Sequence, residues 1–157
     1  MKNVPPPLDA AEKQDRLEEF RRRCRETGEL VTTQRRVVLQ AVLDLDCHPT
    51  ADQVWACPAV RRARISRATV YRTLESLVRM GVITKACHTG GVVRYDGRTA
   101  AHHHLVCLRC DAVLDISDAR LSALPVPDTS AFGFEITDFR VQLRGLCRSC
   151  RRKEEGS

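Results

Sequence analysis

No apolar run in this 157-residue sequence is long enough to cross a bilayer, so a helical membrane span is not among the expected classes. The first twenty residues, MKNVPPPLDAAEKQDRLEEF, lack the apolar core that a secretory signal needs. The expected compartment is therefore the reducing cytoplasm, and a membrane is not an expected partner. The H-E-x-x-H signature of zinc hydrolases is missing, and histidine is scarce, with five in all. Cysteine is not scarce: there are eight, which in a reducing compartment read as metal ligands or free thiols rather than disulfides. With 43% hydrophobic and 29% charged residues, the chain can bury one ordinary core or two small ones.

Acidic residues are almost absent from one stretch. Between Arg61 and Arg94 the basic residues are Arg61, Arg62, Arg64, Arg67, Arg72, Arg79, Lys85 and Arg94, against Glu75 alone. From Arg98 onward nine Lys/Arg face eight Asp/Glu, so the net charge of +6 belongs to the first part, where a polyanion would bind.

The hydrophobic periodicity of that first part is helical. AAEKQDRLEEFRRRCRETG repeats Leu17, Phe20 and Cys24 at helical spacing and can stop at Gly28. TTQRRVVLQAVLDLD offers a Thr cap and aligns Val37, Val38, Ala41, Val42 and Leu45. HPTADQVWACPAV gives a short helix capped by Thr50, carrying Val54 and Trp55, which Pro58 ends or bends. ISRATVYRTLESLVRMG has Ser66 as cap, Val70, Leu74, Leu77 and Val78 as the buried stripe, and Gly81 as the stop. VITKACHTGGVVRYDG alternates around Thr89-Gly90-Gly91, the signature of a β-hairpin.

With the first helix taken as an extension, three helices and a hairpin make a winged helix-turn-helix, a double-stranded DNA binder whose second motif helix enters the major groove. The stripe on the basic helix leaves Arg67, Thr69, Tyr71, Arg72 and Ser76 on other faces, available to phosphates or base edges. The expected organisation is a winged-helix domain over residues 1–96, including an extension over 1–10, a hinge over 97–101 and a second domain over 102–157.

The second part reads as strands HHHLVCL and AVLDI, a short helix over SDARLSAL, a Pro-rich loop and a long strand FEITDFRVQLRGLC. The fold class is thus α+β, a winged helix followed by a small α/β domain. So few apolar residues need support from a metal or a partner subunit. Cys107-x-x-Cys110 and Cys147-x-x-Cys150 are two knuckles that can close a tetrahedral thiolate shell, the pattern of structural Zn(II). Cys24, Cys47, Cys57 and Cys87 lack such spacing and read as core or surface thiols.

The histidines need another account. On a strand His102 and His104 share a face while His103 points away. With Asp96 before the linker, Asp115 on the next strand and His48 reaching across from the first part, they form a mixed nitrogen and oxygen donor set suited to Fe(II), Mn(II) or Zn(II).

HPTADQVW, SRATVYRTLESLVRMGVI, RYDG, HHHLVCLRC, LDI and LRGLCRSC, in this order from about Thr33 to Cys150, resemble the ferric uptake regulator family of metal-dependent repressors. The resemblance leans toward its peroxide-sensing branch, whose regulatory metal is held by three His and two Asp. These positions fall on His48, Asp96, His102, His104 and Asp115. Zinc-uptake regulators tend to carry Cys near Asp96, and iron-uptake regulators often have Glu at Asp115. A further family His corresponds here to Phe139, so an additional metal site there is not expected, and His103 stays outside the shell.

The resemblance implies a homodimeric repressor with a structural zinc and a regulatory Fe(II) or Mn(II), with Zn(II) as a further candidate. The metal acts as corepressor, and iron-dependent oxidation of His48 or His102 releases the operator. Iron-uptake or zinc-uptake control is the alternative within the family. A zinc-dependent hydrolase is the rival from another class, but no positioned-base signature supports it, and an enzyme is not the expectation. A zinc-stabilised interaction module without DNA would leave the basic helix unexplained.

Overall fold

The computed structural model describes residues 5–45, 48–89 and 92–155. The Gly90-Gly91 turn and the Cys47 thiol discussed above lie outside the described residues. The chain divides into two compact units, Pro7–Thr99 and a second built on Ala100 onward.

The first unit begins with α1 (Ala10–Thr27), opened by a reciprocal capping box between Asp9 and Glu12 and closed at Gly28, whose φ of 70° suits the left-handed conformation glycine adopts without cost. Helix α2 (Thr33–Leu45) follows, its first turn accepted by the Thr32 hydroxyl and carbonyl. Helix α3 (Ala51–Ala56) is opened by a second capping box, Thr50 with Gln53. Pro58 ends α3 and at the same time starts α4 (Pro58–Arg62), because a proline lacks only a donor that the first helical turn leaves unused. Helix α5 (Arg67–Arg79) is capped by Ser66 and stops just before Gly81 at φ 70°. The hairpin β1 (Thr84–Thr89) and β2 (Val92–Asp96) completes the winged helix.

One core fills this unit. Val38, Leu39, Val42 and Leu43 of α2 pack with Val54, Val60, Val70, Leu74, Leu77, Ile83 and Tyr95. Phe20 and Cys24 of α1 are buried in the same cluster, with Leu17 against it and Leu8 at its margin. Helix α1 is therefore part of the domain core, not the appended extension expected from sequence. At roughly 1.5–3 kcal/mol per fully buried large apolar side chain, the core outweighs the exposed ion pairs of Glu19 and Glu26 with Arg22 and Arg23 on α1, each of order 0.2–1 kcal/mol.

The second unit is thinner. Strands β3 (His103–Cys107), β4 (Val113–Ile116) and β5 (Gln142–Gly145) form a sheet in the order β4-β3-β5, antiparallel on one side of β3 and parallel on the other. A short helix α6 (Ala119–Ser122), a 3-10 turn (Ser130–Phe132) and a terminal helix α7 (Arg148–Glu155) complete it. The long strand expected from Phe134 is confined to Gln142–Gly145. Residues 134–141 form no strand: 134–138 are exposed, Phe134 by 71%, and only Phe139 and Val141 meet the histidines of β3. Helix α7 was not anticipated, because its sequence RSCRRKEE has no apolar stripe.

Candidate metal centres and nucleic-acid interface

Strands β3 and β5 run parallel with Cys107 opposite Gly145, so both Cys-x-x-Cys knuckles leave the sheet at the same end. The first turns back through Asp111, at φ 54°, and the second enters α7, where the Cys147 carbonyl accepts the Arg151 N–H. Cys110 Sγ and Cys147 Sγ stand 3.8 Å apart. That is the edge of a tetrahedron whose metal–sulfur bonds are about 2.3 Å. The backbone N–H of Cys147 donates to Cys107 Sγ at 3.3 Å. This amide, with those of Cys110 and Arg109, lowers the Cys107 thiol to about 6. Cys150 is pushed up to about 12, first by its hydrogen bond with the neighbouring Cys147 thiol and then by burial. Four sulfurs this close resist joint ionisation unless a cation shares them, and the set suits a closed zinc site.

Nitrogen and oxygen donors occur in both units. In the winged-helix unit the segment after α2 is fastened to β2: Arg94 Nη1 donates to the His48 carbonyl at 3.1 Å, the Tyr95 N–H donates to the Pro49 carbonyl at 3.0 Å, and Thr50 bridges to Arg94. His48 adopts φ 51°, a conformation that costs a non-glycine residue energy and is held here by those bonds. Its Nε2 lies 3.7 Å from Asp96 Oδ2, both side chains being buried, while Asp96 Oδ1 accepts the Arg98 N–H at 2.7 Å.

In the sheet unit Asp115 stands directly across the β3–β4 ladder from His104. His102, one residue before β3, directs Nδ1 at the Ala100 carbonyl, 2.7 Å away, so that Nδ1 carries the proton and Nε2 the lone pair. That Nε2 lies 3.0 Å from His104 Nε2 and 3.2 Å from Asp115 Oδ1, with His104 Nε2 3.6 Å from the same oxygen. Adjacent donors bound to one ion at about 2.1 Å are themselves roughly 3.0–3.4 Å apart. Two imidazoles and one carboxylate form the face that divalent iron and manganese take up.

His103 belongs to neither set. It is buried and accepts the Val141 N–H at Nδ1 (3.1 Å), with Nε2 3.2 Å from Ser122 Oγ and its ring 6.2 Å from Phe139. It ties β3 to the segment entering β5 and to α6.

On α5, Arg67, Tyr71 and Arg72 are exposed and Thr69 is half-buried, so all four lie outside the buried stripe, Arg67 and Tyr71 toward Asp52 and Thr69 and Arg72 toward the Glu29 cleft. Ser76, expected among them, is instead buried and donates to Glu29 at 3.0 Å. The stripe drawn from Val70, Leu74, Leu77 and Val78 was too narrow, since Thr73 and Ser76 are buried along its edge. Sequence reasoning also missed Glu29, which binds Arg35 at 2.5 Å and Arg79 at 3.3 Å beside an open cleft of about 540 Å³ lined in part by Thr69 and Arg72. A further omission was Asp52 of α3, which accepts Arg67 Nε at 2.7 Å and Nη2 at 2.9 Å. No spacing along the chain announces either carboxylate, because each meets its partners across the fold.

A winged helix followed in the chain by a four-thiol cluster and two sets of nitrogen and oxygen donors defines the class of metal-responsive DNA-binding regulators. The chain belongs to the ferric uptake regulator family, whose model matches residues 26–144. It is 28% identical over 141 residues to the peroxide-responsive repressor PerR of Staphylococcus epidermidis, covering 90% of this chain and 93% of that protein. The structure of the ferric uptake regulator from Francisella tularensis with iron superposes with a TM-score of 0.66 at 26% identity, covering 79% of this chain and 96% of that one. The Pseudomonas aeruginosa ferric uptake regulator with manganese gives 0.60 at 25% identity, covering 80% and 95%. No described helix is long and apolar enough to cross a membrane.

Proposed function

We propose that this protein is a cytoplasmic, homodimeric repressor whose operator affinity is set by one Fe(II) or Mn(II) ion held by His48, Asp96, His102, His104 and Asp115, with Cys107, Cys110, Cys147 and Cys150 holding zinc. The observation that carries this reading is the split donor set. A buried imidazole–carboxylate pair lies on one side of the linker and a buried two-imidazole, one-carboxylate triad on the other, and neither alone fills the shell of a divalent ion. An ion that takes both sets favours the one interdomain arrangement in which they meet, and by linkage that arrangement's affinity for DNA rises with metal. The exposed Phe132, Phe134 and Ile136 support a second copy covering this face of the sheet unit.

Peroxide sensing is the signal we assign. When bound, Fe(II) would catalyse cleavage of hydrogen peroxide, one peroxide oxygen being inserted into a ligand imidazole and the other leaving as water, so that peroxide is the two-electron oxidant; Mn(II) would do this far less readily. By resemblance to the peroxide-sensing branch, we take His48 and His102 as the imidazoles that would receive that oxygen. Once oxidised, either ring is a weaker donor, the two sets part, and the operator is released.

The test is anaerobic loading with Fe(II) or Mn(II), operator binding before and after hydrogen peroxide, and peptide mass mapping. Release confined to the iron form, with one oxygen gained at His48 or His102, supports sensing. Metal-dependent binding that survives peroxide, or release without histidine oxidation, assigns the protein to iron-uptake control instead.

A further inference from the structure

The carboxylate of Asp52 grips the first residue of α5 in a particular way. Arg67 donates Nε–H to Oδ1 and one Nη2–H to Oδ2, so the pair is bidentate along one edge of the guanidinium. The Tyr71 hydroxyl reaches the same Oδ1 at 3.4 Å, and the Arg67 guanidinium carbon sits 5.7 Å from the Tyr71 ring centre. Asp52 first, and Tyr71 next, hold the Arg67 guanidinium more firmly protonated than usual.

This cluster does little for stability. Arg67 is 58% and Asp52 53% exposed, and ion pairs in such surroundings are nearly neutral in folding. Nor does it serve affinity for a polyanion, since a carboxylate beside the most basic stretch of the chain repels phosphate. Its backbone is nonetheless rigidly placed: α3 starts in a capping box, Ala51 and Val54 on either side are buried in the core, and that core includes Val70 of α5.

We propose that Asp52 is a specificity-determining positioning residue that aims Arg67 at a guanine in the major groove, an inference that rests on the DNA-binding reading above. A guanidinium has five N–H groups. With Nε–H and one Nη2–H taken by Asp52, the remaining Nη1–H and Nη2–H pair projects along the side-chain axis, away from α3. Two parallel donors match the O6 and N7 acceptors of guanine, whereas adenine offers N7 beside an N6 donor that opposes the second N–H. Position also favours a base, because residues at the start of a recognition helix lie deepest in the groove. A phosphate contact needs no such orientation, and the negative charge of Asp52 lowers non-specific binding to every sequence alike.

The experiment is selection from a randomised duplex library by the full-length, Mn(II)-loaded protein, followed by binding titrations on single-base variants of the selected site at several salt concentrations. Wild type, Asp52→Ala, Asp52→Asn and Arg67→Ala are compared, with thermal unfolding to show that each variant is folded. Wild type is expected to select one guanine per half-site, and each variant to lose preference at that base pair alone by roughly five- to a hundredfold. The two Asp52 variants are expected to bind all other sequences at least as tightly as wild type, most visibly at low salt, because a charge that repels phosphate is gone, and an Asp52→Ala/Arg67→Ala double variant, measured alongside, to lose no more preference than Arg67→Ala. Retention of the guanine preference by Asp52→Ala overturns the inference, as does a loss spread evenly over all positions. If wild type selects no sequence even with metal, the DNA-binding reading itself falls, a result separate from either of those.

Discussion

The Tyr95 hydroxyl donates to the Glu75 carboxylate at 3.0 Å, joining β2 one residue before Asp96 to the middle of α5. Tyr95 is almost fully buried, and its hydroxyl is held protonated by burial and by Glu75. Lys85 of β1 binds the other Glu75 oxygen at 2.8 Å, so the wing and α5 share one carboxylate. A shift at Asp96 thus has a short covalent and hydrogen-bonded route to α5.

Tyr95→Phe is expected to keep the core filled and remove only this link. Because Glu75 stays half-exposed and paired with Lys85, the stability loss is about 1 kcal/mol by denaturant unfolding. The gain in operator affinity on adding Mn(II) is expected to shrink more than the affinity of the metal-free protein.

Glu29 supplies a pH prediction. Burial opposes its ionisation, but the Ser76 hydroxyl and the Arg79 and Arg35 guanidiniums outweigh burial and hold the carboxyl below its ordinary value. A carboxyl whose folded pKa is depressed contributes stability that is complete above its unfolded pKa and disappears as pH falls through the folded one. Glu29→Gln should therefore be less stable than wild type at neutral pH, by about 1 kcal/mol. The deficit should vanish in acid below the usual glutamate range, as measured by urea titrations across pH.

His103 and His104 are adjacent on β3 yet should fail differently. His103→Ala leaves the half-buried Val141 N–H without its acceptor and opens a cavity. The expected cost is about 2 kcal/mol, with metal stoichiometry unchanged when assayed on folded protein. His104→Ala is expected to abolish the nitrogen and oxygen site while the zinc content stays at wild-type level.

Removal of zinc should be more damaging than either. Apart from the ligands, Val106 and Val113 are the buried apolar residues of the sheet unit among the described residues, too few to order it. Cys107→Ser or Cys147→Ser is expected to lose zinc, strand signal in circular dichroism and the dimer in sedimentation, while the Pro7–Thr99 unit still melts cooperatively.

The helices of the first unit were legible because caps and stripes are local: Thr50, Ser66, Gly28 and Gly81 all act where their neighbours in sequence foretell. The cysteine knuckles were legible for the same reason. What escaped depends on distant neighbours. Residues 134–141 alternate like a strand, but a strand also needs another beside it. Helix α7 has no apolar stripe and is entered from Cys147. Ser76 turned inward because Glu29, 47 residues away, accepts its proton. Asp52 reads as an ordinary first-turn acid until α3 is seen against α5.

The most direct measurement is the affinity of a fluorescent operator duplex for zinc-replete wild type and His48→Ala under anaerobic titration with Mn(II). Wild type is expected to gain at least roughly tenfold in affinity on saturation. His48→Ala, with unchanged zinc content and melting temperature, is expected to show no dependence on Mn(II). If His48→Ala gained as much affinity from manganese as wild type, an ion joining the two donor sets would not be what controls DNA binding.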